Sequence, residues 1–131
     1  MGKNIKDLDV RLQIAFTNAA EDFKKHYPND PQPILTCTHR SNEEQNDLYA
    51  QGRTKPGKIV TNAKAGQSPH NFLPARAFDI AFVKPGNLLD WNPELFKKFA
   101  TLLANKRNDV RWGGTFTSFK DYPHFELKDW K

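Results

Sequence analysis

His70, Asp79 and His124 lie nine and 45 residues apart and come from three separate segments. Two imidazoles and a carboxylate form a donor set that Zn²⁺ accepts, with a fourth position left to water. Asp79 sits in "ARAFDIAFV", where a carboxylate is costly unless charge, hydrogen bonds or a metal compensate it. The two-residue period of a strand puts Phe78, Ile80 and Phe82 on one face and Ala77, Asp79 and Ala81 on the other. The two alanines leave space beside the carboxylate. Taken alone, Asp79 could equally pair with Arg76 or another arginine. His70 lies in "SPHN", an extended stretch held by Pro69, with Ser68 on the same side. Taken alone it would read as a surface residue, and the spacing of the three donors is by itself a weak signal. His124 opens "HFEL" directly after Pro123, which has no N–H for a ladder, so this strand is expected to begin at a sheet edge or just outside it.

Two further residues could complete a hydrolytic site. Asp121, three residues before His124, is placed to bring a carboxylate over a metal rather than onto it. A metal-bound water needs such a group to take its proton and pass one to the leaving amine. The plain alternative is an ordinary turn aspartate. Arg40, in "THRSNEEQ", closes a strand just before a helix, where a guanidinium suits a substrate carboxylate or a developing oxyanion. A surface ion pair is its plain alternative. The same donors also suit Fe(II) oxygenase chemistry, although the helices and the shortage of strands argue against the barrel that chemistry usually occupies. A non-catalytic basic binding module with a structural metal is the alternative from another class; Asp121 and an open fourth metal position count against it.

The elements that must position these residues are legible. Apolar residues at Ile5, Leu8, Leu12, Ala15, Phe16, Ala19, Ala20 and Phe23 predict a helix over about residues 5–25. Prolines in "HYPNDPQP" end it, and "ILTCT" predicts a short strand. Ser41 and Glu44 form a capping box opening a helix that runs to about Gln51 and stops at Gly52. Residues 52–67 have no periodicity and read as a loop, either a mobile rim over substrate or an ordinary surface loop. Asn92-Pro93 caps a helix whose inner face carries Leu95, Phe96, Phe99, Leu102 and Leu103. "VRWGG" and "HFEL" read as further strands. Three helices and about four short strands, not strictly alternating, predict an α+β domain.

At 131 residues the chain has the length of one domain, residues 1–131, with one core. Its net charge of +5 and pI of about 9.4 suit an anionic polymer such as a cell wall. The basic residues are scattered, and no nucleic-acid motif with its required spacing is present, so nucleic acid is not the expected partner. No apolar run approaches the roughly 20 residues that cross a bilayer. "MGKNIKDLDV" lacks the apolar core of a signal peptide, so synthesis and folding in a cytoplasm are expected. Cys37 is alone, which leaves no internal disulfide and reads as a buried, inert thiol.

The ordered set "THRSNEEQNDLYAQGRT", "SPHNFLPARAFDIAF", "WGG" and "DYPHFEL" resembles the zinc peptidases that cut bacterial cell-wall peptides. That family includes D-alanyl-D-alanine carboxypeptidases and phage L-alanyl-D-glutamate endopeptidases, and the likeness runs from about Thr36 to Leu127. The resemblance implies one Zn²⁺ held by His70, Asp79 and His124, with Asp121 as catalytic base. It implies that Arg40 steadies the substrate carboxylate or polarised carbonyl and that Ser68 lines the substrate site. It also implies a small hedgehog-like α+β fold with the metal on an antiparallel sheet. The His-to-Asp gap is two positions longer than in many members, which predicts a small bulge in the connecting turn. Aspartate rather than glutamate as the base is similar to the endopeptidase branch. A short, basic chain of this type resembles a monomeric phage endolysin that reaches the wall when a holin opens the inner membrane. The favoured bond is L-alanyl-D-glutamate, with D-alanyl-D-alanine the rival.

Overall fold

A computed structural model describes residues 1–131. Three α-helices and five strands follow the order α1 (Val10–His26), β1 (Gln32–Cys37), α2 (Asn42–Ala50), β2 (Ala77–Lys84), β3 (Leu88–Asp90), α3 (Pro93–Lys106), β4 (Val110–Trp112) and β5 (His124–Leu127). All strand pairs are antiparallel, in the order β1-β2-β5-β4, with β3 paired to the far end of β2. This is the α+β architecture expected from the sequence.

The alternation of β2 divides the molecule. Phe78, Ile80 and Phe82 join Phe125 and Leu127 of β5 on one sheet face, and α1 and α3 cover that face with Leu12, Phe23, Phe96 and Phe99, all buried. The rings interlock: Phe78 stacks on Phe125 at 5.2 Å, and Phe82 meets Phe96 edge-on at 4.9 Å. Burying each such side chain is worth about 1.5–3 kcal/mol, so this face fixes the register of the sheet. Register then fixes the opposite face, where Asp79 pairs with His124 and Ala77 with Glu126.

Capping sets the helix boundaries. The Ser41 hydroxyl accepts from Glu44 N at 3.1 Å while the Glu44 carboxylate accepts from Ser41 N at 3.0 Å, the reciprocal box expected from the sequence. Asn92 caps α3, and Pro93 occupies its first turn. Four local expectations need correction. The first helix starts at Val10, not Ile5, because Asp9 is its N-cap and the preceding backbone bonds with Ala75: Ala75 N to Asp7 O, and Asp9 N to Ala75 O. β3 is a strand the sequence reading did not count; its exposed Leu88 and Leu89 lack the alternation of a half-buried strand. Of the two alternatives for the last strand, the edge position fails because β5 is internal, while Pro123 does lie just outside the strand, its carbonyl accepting from Ile80 N at 3.0 Å. The long His70-to-Asp79 connection is taken up by a 3₁₀ turn at Pro69–Asn71 followed by bends, while the sheet irregularity falls in β1 between Leu35 and Cys37, opposite Asp79.

Candidate metal centre and cleft

On the sheet face away from the core, Asp79 Oδ1 lies 3.2 Å from His70 Nε2 and 3.0 Å from His124 Nδ1. The imidazole rings meet edge-on, with centroids 5.2 Å apart. Each histidine is held from behind. His70 Nδ1 lies 2.8 Å from the Thr38 carbonyl, and His124 Nε2 lies 2.7 Å from Glu126 Oε1. A carbonyl or a carboxylate only accepts, so those rear nitrogens carry the protons. The front nitrogens of a neutral pair therefore present two lone pairs to a carboxylate oxygen, which is repulsive unless a cation stands among them.

With protons as the only cations available, the histidines bind them firmly. Burial would lower the His70 pKa, but the Asp79 charge and hydrogen bond overcome it and raise it to about 10. For His124 burial is again outweighed, here by hydrogen bonds to Asp79 and Glu126, and the value rises to about 9. Burial would raise Asp79, yet the two histidines hold it far below the ordinary carboxylate range. The donor chemistry thus fits a divalent cation held by His70, Asp79 and His124. Cys37 belongs to this neighbourhood too: a sulfur, a ring nitrogen and a carboxylate oxygen of Cys37, His70 and Asp79 fall within 4.8 Å of one another. Its Sγ lies 3.7 Å from His70 Nδ1, the proton-bearing rear nitrogen, whereas the His124 lone pair faces Asp79 directly. Cys37 is buried as the sequence implied, but its closeness to His70 was not visible from a strand motif.

The remaining expected residues gather at the same place. Arg40 reaches Asp79 Oδ2 at 3.8 Å and donates to Gln45 Oε1 at 2.9 Å, while its Nε is buried without a partner in the protein. Its backbone N–H donates to the His70 carbonyl at 2.9 Å, which ties the end of β1 to the histidine turn. Asp79 pairs with Arg40, not with Arg76, which is drawn away onto the Phe72 ring and the Trp130 carbonyl. Ser68 caps the 3₁₀ turn, its hydroxyl accepting from His70 N at 3.2 Å. It both lines the cleft and orients the histidine turn. Asp121 stands at the cleft wall with its pKa raised, first by burial and then by the Asp79 charge, against the opposing pull of His124, His70 and Arg40. Gly113 fixes its backbone: Asp121 N donates to the Gly113 carbonyl at 3.0 Å, and a Cβ on Gly113 would collide with the Asp121 carbonyl.

Glu126 was not singled out from the sequence. The signal was available, because His124 and Glu126 are two apart on a strand and so share a face.

A cleft of about 520 Å³ opens over these groups and runs between Arg40, Thr61, Ser68 and Phe116. It continues into a second hollow of about 390 Å³ that shares Val60, Thr61, Phe116 and Asp121. The 52–67 loop is therefore one rim. Arg53 braces it by donating to the Tyr49 and Thr61 carbonyls and to Asn62 Oδ1.

A small antiparallel sheet carrying a His–Asp–His donor set, with an unused carboxylate at the wall of an open groove, defines the class: a candidate metal-dependent hydrolase centre. A family profile described as D-alanyl-D-alanine carboxypeptidase, of the M15 peptidases, matches residues 61–127, just over half of the chain. The chain belongs to the M15 peptidase family. It is 38% identical over 101 residues to the peptidoglycan L-alanyl-D-glutamate endopeptidase CwlK of Bacillus subtilis (strain 168), a match covering 72% of this chain and 59% of that protein. The chain thus spans about three fifths of the length of that relative. The fold is also that of the L-Ala D-Glu endopeptidase ChiX of Serratia marcescens, with a TM-score of 0.64 at 16% identity over 95% of this chain and 83% of that one. No helix is long and apolar enough to cross a membrane.

Proposed function

We propose that residues 1–131 act as one zinc-dependent catalytic unit that hydrolyses the L-alanyl-D-glutamate bond of the peptidoglycan stem peptide. The observation that carries this is the convergence of two imidazole nitrogens on Asp79 Oδ1 beside the separate Asp121 carboxylate at the cleft wall. The likeness to CwlK, named as a peptidoglycan L-alanyl-D-glutamate endopeptidase, supports the choice of bond.

His70, Asp79 and His124 would hold the ion. When bound, Zn²⁺ supplies Lewis acidity toward the scissile carbonyl and lowers the pKa of its water to about 7. Asp121, at the cleft wall beside these residues, takes the proton of the attacking water and returns it to the departing amine. Arg40 offers a guanidinium braced by Gln45 to a substrate carboxylate or the developing oxyanion. Ser68 stands at the same wall and keeps the His70 backbone in place. The groove that runs past Phe116 to Val60 receives an extended peptide, and a net charge of +5 favours adsorption to an anionic wall.

The reading extends to a monomeric endolysin of phage origin, made in the host cytoplasm and reaching the wall after a holin opens the inner membrane. Neither stable membrane insertion nor nucleic-acid binding is part of it. Digestion of purified peptidoglycan followed by mass spectrometry of the fragments tests the bond. Stem peptides beginning at D-glutamate are expected. Free terminal D-alanine would reassign the chain to the carboxypeptidase activity for which the family is described.

A further inference from the structure

We propose that Glu126 is a positioning residue that selects the nitrogen with which His124 faces the metal, and that Arg111 and Trp130 lock it in that task. The inference rests on the metal reading above and extends it to residues outside the ligand set.

His124 and Glu126 are both buried on β5 and point to the same sheet face. Both carboxylate oxygens of Glu126 are engaged. Oε1 lies 2.7 Å from His124 Nε2, while Oε2 accepts from Arg111 at 2.8 Å and from Trp130 Nε1 at 2.9 Å. A carboxylate can only accept, so the His124 proton belongs on Nε2 and the lone pair on Nδ1, which faces Asp79. The neighbours make this arrangement durable. Ala77, across from Glu126 on β2, has no polar group to compete for it, and Arg111, across from it on β4, supplies a charge.

Trp130 brings in a further segment. Its indole holds Glu126, its carbonyl accepts from Arg76, and its ring lies 6.3 Å from Phe72. Phe72 and Arg76 belong to the bends that follow the His70 turn. The residues after β5 thus latch the segment bearing His124 to the segment bearing His70. Outer partners of this kind fix the tautomer of a ligating histidine, and their loss weakens metal binding by about 10- to 100-fold.

Glutamine is the informative replacement because it keeps the volume and changes the hydrogen-bond polarity. If its oxygen turns to His124, its amide N–H₂ meets the Arg111 and Trp130 donors. If its N–H₂ turns to His124, the imidazole proton must move to Nδ1 and the metal-facing lone pair is lost.

The test is zinc affinity at pH 7, measured by competition with a chromophoric chelator, for wild type, Glu126→Gln, Glu126→Ala and Trp130→Phe. Long-range ¹H–¹⁵N spectra of the zinc-loaded wild type accompany it. The expected result is a proton on His124 Nε2, zinc binding about 10- to 100-fold weaker in both Glu126 variants, and a smaller loss in Trp130→Phe. Glu126→Gln binding zinc within about twofold of wild type would overturn the proposal, as would a His124 proton on Nδ1. If a Glu126 variant does not fold, the wild-type spectrum can still overturn the proposal, and Trp130→Phe, which loosens Glu126 without removing it, still tests it through zinc affinity. Wild type that binds no zinc would overturn the metal reading itself, and is distinct from wild type that binds zinc unaffected by Glu126.

Discussion

The two walls of the cleft are built on different principles. The sheet wall, carrying Asp79, His124 and Glu126, rests on a core of interlocked aromatic rings, and its polar atoms are held from two sides. The loop wall, residues 52–67 with Phe116 to Phe119, has no helix or regular strand beyond short turns, and Ile59, Val60 and Phe119 are exposed. Chemistry needs fixed donors, whereas recognition of a peptide needs surface that can adapt. The difference suits the first wall to the proposed metal and the second to the proposed substrate.

Changes in the sheet wall should therefore act on the metal, and changes in the loop wall on substrate. The largest effect is expected from Asp79→Asn, which removes the charge shared by both histidines. Zinc content by atomic absorption should fall to background, and activity with it; retained zinc would break the assignment. Next comes Gly113→Ala, in which the new methyl displaces the Asp121 backbone. A displacement of about 1 Å can cost on the order of 100-fold in rate, so turnover should fall steeply while zinc stays bound. Turnover equal to wild type would show that Asp121 tolerates movement. At the small end lies Phe116→Ala, on the rim shared by both hollows. It should raise KM several-fold, on the order of 1 kcal/mol of uniform substrate binding, with a smaller change in zinc affinity because its ring lies 6.0 Å from that of His124.

Acidity sharpens the same contrast. In chelated protein the raised pKa values of His70 and His124, about 10 and about 9, contribute stability that is complete below their ordinary value. That contribution shrinks once pH exceeds the ordinary value of 6.5 and is gone when pH has risen through 9 and 10, so the Tm of the chelated protein should fall from about pH 6.5 to about 10. Zinc competes with those protons, so the stabilisation it confers should instead grow as pH rises from the acid side. For the base the sign is reversed: Asp121 must be ionised, so activity is present above its pKa and disappears as pH falls through it. In chelated protein burial and the Asp79 charge raise that pKa, and a nearby Zn²⁺ opposes both, so the Asp121 carboxyl followed by NMR should titrate higher in chelated than in zinc-loaded protein.

The sheet wall was also the more legible in sequence. Alternation about Asp79 gave its face because bulky and small residues alternate without exception from Ala77 to Phe82. Ser41 with Glu44 and Asn92 with Pro93 marked helix starts because capping is a local property. What escaped depended on partners distant in the chain. Helical spacing over Ile5 to Asp9 did not reveal that Ala75 would claim that backbone. Pro123 said only that its own position could not donate, and the strand after it proved to be internal. The nearness of Cys37 to His70 arises because the His70 turn bonds to Thr38 and Arg40 just after β1, a long-range pairing that no single segment encodes.

Zinc stoichiometry and peptidoglycan turnover, measured side by side on wild type and Asp121→Ala, test the central claim most directly. The account expects one zinc in each protein and a turnover about 10²- to 10⁴-fold lower in the variant, the usual contribution of a positioned acid–base group. Zinc in both proteins with turnover undiminished in the variant would contradict it, because the carboxylate at the cleft wall would then have no part in the reaction.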